Sequence, residues 1–593
     1  MKTNVSRETI YHEAEFCVIG GGLAGLSAAI AAARKGTKTI LVQDRPMLGG
    51  NASSEIRMWV RGAHGKNHME SGIVSELDLE NLHVNPYLNF SIWDSVMYGA
   101  ALREPNLTLM LNTTCLDAET ENGEIQTIIC WQLTTYTFHT IHADVFADCS
   151  GDSVLAPLVG AKWTKGREAR AEYGESIAPE QADLRTMGMS CLIQAREHSE
   201  KVPFVKPEWA YTYETDDALP HRTHSMKDKY NNFWWLELGG EDDSIGDTEK
   251  LREELLKVAL GVWDHIKNHG DHDADNWELE WIGFLPGKRE SRRYIGAHVL
   301  DQHDVEAGGK FEDIAAYGGW TMDDHNPAGF RHTGEPTIFH PAPSPFGIPY
   351  RSMYSANIKN LFFAGRNISA THAALSATRV MATCALIGQA VGNAAALCNK
   401  YACKPNDVYE AHLKELQAEI LYDGCWLPGL TRTVDSCMQN AKTDLSDEER
   451  RILFNGEERP DENDSVNYIS RGNGESISFT FERPANGVVR LILDPDYSRE
   501  SVSDNLELRR YSMRSNMPLA FKPLKMPANL AKKLKVTAFM ADGTQKVLYE
   551  SAENDRHLLF LPTGGTIKGV IAEFFGAWQS DVTNIYSFEL VEK

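Results

Sequence analysis

An α/β chain with an antiparallel β tail is the fold class this sequence predicts, on three observations. A strand, a glycine turn, a helix and a second strand follow one another across residues 16–42. A strand, an Ala-Gly step and a long small-residue helix recur across residues 360–396. Beyond residue 465 the pattern changes to period-two alternation, the mark of half-buried strands. The 593 residues leave room for several folding units, and 42% apolar with 24% charged residues is ordinary globular composition. With 59 basic against 83 acidic residues the net charge is −24, which repels phosphate backbones and argues against nucleic acid as the main partner. Ten scattered cysteines without a C-x-x-C pair read as reduced thiols of a cytosol-like compartment.

The first element is the apolar run Phe16-Cys17-Val18-Ile19, right for a buried parallel strand. Gly20, Gly22 and Gly25 follow as G-x-G-x-x-G, and the alanine-rich residues 26–35 continue as a helix that stops at Gly36. Thr39–Val42 is the next strand. This order is a dinucleotide fingerprint. Gly20 permits the tight turn, Gly22 lets backbone approach a pyrophosphate, and Gly25 lets helix pack on strand. The helix start, with Leu23 and Ala24 in its first turn, then faces the phosphates. Residues 16–33 carry no charge and imitate a signal peptide or membrane span, but the glycine spacing argues against both. Where an acidic residue usually ends the second strand to bond a ribose, Gln43 stands, with Asp44 beside it; either can serve.

A second glycine loop follows: Arg45, Pro46, Leu48, Gly49, Gly50, Asn51, Ala52 and Ser53. On these residues the chain resembles the FAD-dependent oxidoreductases of the glutathione-reductase-like superfamily, closest to their fumarate-reductase-like branch. The resemblance implies FAD, since this loop runs beside the ribityl chain and ring. Three later segments are similar to the same family. Strands at Leu107–Leu111, Ile125–Gln132 and Tyr136–Ile141 lead to Asp148-Cys149-Ser150-Gly151-Asp152, like the family's return to the flavin domain. Asn360–Asn367 resembles the second FAD motif through Gly365 and Arg366, and Ala385–Ala396 the final helix whose N-terminal turn caps the flavin, so that Gly388 is expected beside the cofactor, with Gly388 and Gly392 as one bare stripe. Gln389 and Asn393 interrupt a membrane-span reading of that helix. The fold expected is then a Rossmann-like FAD-binding domain (1–165 and 346–400) with an inserted α+β substrate domain (166–345). A helical linker (401–464) and an antiparallel β-sandwich (465–593) complete it. Within the insert, residues 250–268 read as an amphipathic helix on Leu251, Leu255, Val258, Leu260, Val262 and Ile266.

Flavin chemistry asks for a proton donor or acceptor and for cations that hold developing negative charge. The segment Lys288-Arg289-Glu290-Ser291-Arg292-Arg293 sets four cations around one carboxylate in an acidic chain. It reads either as a solvated helix start or as an anion clamp. The family's R-E-[ST]-R-R segment favours the clamp, with Arg289 and Arg292 expected on one helix face. Trp320 and Asp323 of the stretch Tyr317–His325 suit a pocket wall, or equally a surface loop. His340 opens a Pro-rich return and is either a proton shuttle or a turn residue. His372 and Arg379 stand where fumarate-reductase-like enzymes carry a His and an Arg that contact substrate oxygens, though the spacing is longer here. His64-x-x-x-His68 and His269-x-x-His272 have metal-like spacing without further ligands, and no metal is expected.

After residue 465, Ile477, Phe479 and Phe481 share a face, as do Leu491 and Leu493, and Tyr586, Phe588 and Leu590, with a turn signal at Asn486-Gly487. The function expected is hydride transfer between flavin N5 and a small polar substrate, a sugar or hydroxy acid, by a cytoplasmic enzyme. The alternatives are a scaffold or carbohydrate-binding protein with structural FAD, a flavin-dependent tRNA-modifying enzyme, and an NADPH-using hydroxylase. The charge opposes the tRNA enzyme. The hydroxylase lacks a second G-x-G-x-x-G.

Overall fold

The computed structural model describes residues 7–461, 463, 466–509, 513 and 516–592. Residues 1–6 of the expected FAD-binding domain, and positions 462, 464 and 465 of the expected linker and β-domain boundary, lie outside the described residues. The chain forms two compact units. The first is Met1–Ala63, Tyr87–Gln417 and Met513–Lys522; the second is His64–Pro86, Ala418–Ser512 and Pro523–Lys593.

The first unit is mixed α/β. Its main sheet runs β3 (Leu107–Met110), β2 (Thr39–Val42), β1 (Thr9–Ile19), β6 (Thr137–Asp148), β5 (Glu124–Gln132), β4 (Thr113–Glu121). The pairs β1–β2, β2–β3 and β1–β6 are parallel, and Leu361–Phe363 adds a parallel strand on the C-terminal half of β6. The meander β4–β5–β6 is antiparallel, so β6 serves both halves. The apolar run that announced β1 is fully buried at Phe16, Cys17 and Val18.

Helix α1 (Leu23–Arg34) is buried from Leu23 to Ala33. A helix apolar all round needs cover on more than one side, and Met381–Tyr401 supplies it. A Cβ at Gly388 would lie 1.9 Å from the Ala24 oxygen, and one at Gly392 2.3 Å from the Ala28 oxygen. The bare stripe read from the sequence is thus the surface on which the two helices meet. Among the described residues this is the one helix long and apolar enough to cross a membrane, and 89% of its apolar window is buried inside the protein.

The insert carries the helix Thr248–Asn268. Leu251, Leu255, Val258, Val262 and Ile266 enter a core with Trp263, Trp277 and Met189. Leu260, assigned by periodicity to the same face, is only half-buried; Leu256 and Ala259 take its place.

The segment expected to start a helix at 288–293 forms no helix and is strand at both ends. Gly287–Lys288 pairs with Met189–Ser190, and Arg293–Tyr294 with Trp163–Thr164. Arg, Lys and Glu favour helix locally, but these strand pairings override so weak a preference.

The second unit holds two antiparallel sheets. One orders Lys442–Thr443, Ser476–Ala485, Ile567–Phe574, Leu534–Met540 and Gln545–Ser551; the other Ile469–Gly472, Val582–Glu592, Gly487–Leu493 and Leu558–Pro562. Asn486-Gly487 joins strands of different sheets rather than closing a hairpin. The alternating residues face inward, and the rings of Phe479 and Phe588 lie 5.6 Å apart. Residues 64–86 belong to this unit through the helix Ile73–Val84, where Ser75 Oγ meets His557 Nε2 at 2.7 Å.

Within the central strand Gly487–Leu493, Arg490 is fully buried. Its guanidinium donates to Glu458 at 2.7 Å and to the Tyr422 carbonyl at 2.9 Å, and Glu589 lies 3.5 Å away. Arg490→Met is expected to cost about 3 kcal/mol, because it strands carboxylates away from water. A urea transition of the full chain unshifted by this change would refute that.

Candidate cofactor and active site

The glycine turn after β1 divides into positions the chain itself requires and one it does not. At Gly20 φ is +100°, and a Cβ would lie 2.5 Å from the Cys149 oxygen. At Gly25 it would lie 1.9 Å from the Gly20 oxygen. Gly22 has φ −63°, open to any residue, and a Cβ there would meet nothing within 4 Å. Gly22 lines a cavity, and that cavity is the space beside it.

The second loop docks on the first. Gly49 N donates to Gly21 O at 2.8 Å, and Gly49 and Gly50 take φ +102° and +57°. The Gln43 amide oxygen accepts the Gly21 N–H at 2.7 Å, while its nitrogen donates to Met47 O at 3.1 Å. Gln43 therefore braces both loops from the end of β2. Asp44, Arg45, Gly49, Gly50 and Asn51 continue the wall, and Asn51 donates to Lys288 O at 3.0 Å. Ala52 and Ser53 are buried behind it.

Across the cavity stand Gly151, Asp152, Gly365 and Arg366. Asp152 accepts from Arg366 at 2.6 Å, Lys288 at 2.7 Å and Ser291 at 2.8 Å. Burial alone would raise its pKa, but the two cations hold the carboxyl well below the usual range. Arg379, Met381 and Cys384 line the same cavity.

Two chains of buried charge lie in this unit. The first runs Arg289–Glu237–His325–Asp323–Arg379. Arg289 Nη1 is 3.2 Å from Glu237, which accepts from His325 Nδ1 at 2.6 Å; His325 Nε2 lies 3.4 Å from Asp323. Arg379 donates to the Asp323 carbonyl at 3.0 Å and its carboxylate at 3.1 Å. The second runs Arg293–Glu290–His372–Asp324. His372 Nδ1 and Nε2 reach Glu290 at 2.9 Å and Asp324 at 3.0 Å, and Glu290 pairs with the fully buried Arg293. Asp323 and Asp324 are adjacent on the strand Met322–His325, whose side chains alternate, so one strand feeds both chains. Burial would depress the His372 pKa, but the two flanking carboxylates push it up to about 10. Glu290 and Asp323 are buried yet held below the usual carboxylate range by their cationic partners.

The family profile of FAD-dependent oxidoreductases matches residues 15–420, more than half of the chain. The chain belongs to this family. It is an FAD-dependent oxidoreductase, and its cofactor is FAD. No curated protein matches it. Among solved structures, a geranylgeranyl bacteriochlorophyll reductase-like protein from Thermoplasma acidophilum is 11% identical (69% of this chain, 83% of that one, TM-score 0.31). E. coli quinol fumarate reductase is 12% identical (70% and 75%, TM-score 0.26). A family 32 carbohydrate-binding module from Streptococcus pneumoniae EndoD is 12% identical over 26% of this chain and 93% of that one, with TM-score 0.18.

The cavity residues of this FAD-dependent oxidoreductase fit the cofactor. The uncapped first turn of α1, with Leu23 and Ala24, and two glycine loops offer backbone amides to phosphates. Gly22 leaves room where a side chain would intrude. Gly388, expected beside the flavin, lies against α1 and does not line the cavity.

Of the expected substrate-side residues, Arg289 and Arg379 end one charge chain and His372 sits in the other. Arg289 and Arg292 do not share a face: Arg289 is buried beside Glu237, while Arg292 lies elsewhere. Arg292 is half-buried over the Trp163 ring and donates to Ser153 O at 3.3 Å. His340 ends the strand Thr337–His340 opposite Met322, in neither chain. Trp320 packs beneath Arg61. Lys288 lies in the basic segment 288–293 and Asp324 and His325 in the stretch Tyr317–His325, where their charge is the signal. Glu237 had none, since nothing local marks an acid whose partners come from elsewhere in the chain.

Proposed function

We propose that this FAD-dependent oxidoreductase moves a hydride between the flavin and a small polar substrate, a sugar or hydroxy acid, held by cations of the cavity wall. When bound, FAD supplies a two-electron carrier that exchanges hydride at N5. The observation that carries the reading is Arg379. It lines the cavity, Asp323 holds one nitrogen of its guanidinium through both its carbonyl and its carboxylate, and the buried Nε has no hydrogen-bond partner among the described residues. A preset, desolvated donor of this kind suits a substrate oxygen that gains negative charge. Lys288 and Arg366 add positive charge to the same wall, in a chain of net −24. His372, with both nitrogens engaged by carboxylates, acts as a positioning residue through Asp324 and Glu290.

The two antiparallel sheets of the second unit read as a β-sandwich, a reading the Phe479–Phe588 contact supports. We place the enzyme in the cytoplasm, acting on a small molecule rather than on nucleic acid or membrane.

Anaerobic mixing with a panel of sugars and hydroxy acids, followed by flavin absorbance, tests the proposal. Arg379→Ala should keep its FAD and lose about 100- to 1,000-fold in kcat/KM. If no panel member changes the flavin spectrum, the substrate is neither of these classes and the proposal fails.

A further inference from the structure

Residues 198–236 carry no regular element beyond the short turn Asp216–Ala218. So long an irregular stretch needs tethers, yet its Leu219, Met226, Phe233 and Trp235 are buried in the core around the Thr248–Asn268 helix. One tether is polar. Asp216 and His224 come from the stretch, His265 from the end of the helix, and His272 from the loop after it. We propose that these four side chains form a divalent metal site of the zinc type, which pins the stretch to the helix.

The geometry supports this first. The four ligand atoms lie within 4.8 Å of one another. Asp216 Oδ1 is 3.2 Å from His265 Nε2, 3.5 Å from His272 Nε2 and 3.6 Å from His224 Nε2. A tetrahedron with metal–ligand bonds of about 2.0–2.1 Å has edges of about 3.3 Å.

The hydrogen bonds support it next. His224 Nδ1 lies 2.6 Å from the Arg222 carbonyl and His265 Nδ1 2.8 Å from the Tyr213 carbonyl. A carbonyl only accepts, so both Nδ1 atoms carry the hydrogen. In the neutral rings both Nε2 lone pairs then face a carboxylate oxygen, and only a positive charge between them makes that favourable. Backbone carbonyls that orient imidazoles in this way are the usual outer partners of metal-bound histidines. His272 Nε2 also sits 3.2 Å from the His269 carbonyl, a contact that ligation would replace.

Protonation is the competing source of charge, and the packing opposes it. His265 is wholly buried and His272 is 6% exposed. The three ring centroids are 4.8, 4.8 and 5.1 Å apart. A metal ion supplies the charge without crowding three imidazolium ions together.

Four protein ligands leave no open position, which is the pattern of a structural site. The exposed Asp216 gives the ion its path in from solvent. His269, which spacing alone pairs with His272, stacks on His265 instead and is not one of the four.

The test uses the full-length, FAD-loaded protein, stripped with a chelator, supplied with zinc and desalted, with metal measured by mass spectrometry. Wild type should retain one equivalent and recover the thermal midpoint lost on stripping. Asp216→Asn combined with His224→Asn should lose that equivalent while keeping its FAD. If the pair does not fold, Asp216→Asn alone, which alters only an exposed side chain, takes its place. Wild type that retains no zinc would overturn the proposal. So would a variant that retains as much as wild type, because the ion would then sit elsewhere, for instance at Asp435, Cys437 and Glu592.

Discussion

Gly22→Val is expected to give a folded protein that does not hold FAD. The backbone at Gly22 is at φ −63°, which valine adopts without strain, and a Cβ meets none of the chain's own atoms within 4 Å. The fold therefore tolerates the change. The added methyls enter the cavity beside the first turn of α1, where backbone must approach the phosphates. FAD binding should weaken at least about 100-fold, or about 2.7 kcal/mol. Gly25→Ala is the contrast. Its Cβ would collide with the Gly20 oxygen, so fold and cofactor should fail together. Flavin absorbance after gel filtration, beside far-ultraviolet circular dichroism, separates the two outcomes. A Gly22→Val protein that emerges fully loaded with FAD would show that the cofactor lies elsewhere.

Glu290→Gln is expected to destabilise the first unit by about 3–5 kcal/mol, because it removes the carboxylate between a fully buried arginine and a buried imidazolium. The change should also alter the pH dependence. The His372 pKa rises from 6.5 to about 10 in the folded chain. A raised folded value means stability fully present below pH 6.5 and lost progressively as pH climbs through about 10. Glu290, depressed from 4.5, acts in the opposite sense: its contribution is present above pH 4.5 and lost on acidification. Wild type should therefore weaken between about pH 7 and about pH 9, through His372. In Glu290→Gln only Asp324 still faces His372, so the slope should become shallower. Urea transitions of both proteins at the two pH values decide. Parallel slopes would mean that Glu290 does not hold the His372 proton.

The glycine turn after β1 was legible because its requirements are local. Gly20 needs a left-handed backbone, Gly25 a close approach to the Gly20 oxygen, and both follow from neighbours in the chain. The Gly388–Gly392 stripe was legible too, as a spacing that leaves one helix face bare, although only the packing showed that α1 occupies it. The basic island misled, because four cations and a glutamate look like a helix surface until strand partners claim the segment. Arg289 and Arg292 then go to different partners, and Arg293, which no local pattern favoured over its neighbours, becomes the fully buried member.

What the sequence determined by itself is the order strand, glycine loop, helix, strand. The alternation of the C-terminal strands was equally its own. Each depends on backbone geometry or on a period of a few residues. The tertiary structure alone decided the charge chains through Glu237 and Glu290, the division of Asp323 from Asp324, and the gathering of Asp216, His224, His265 and His272. Each of those groups draws its members from at least two separate segments of the chain, and buried charges are stable only where such partners meet them, so no single window of sequence could have announced them.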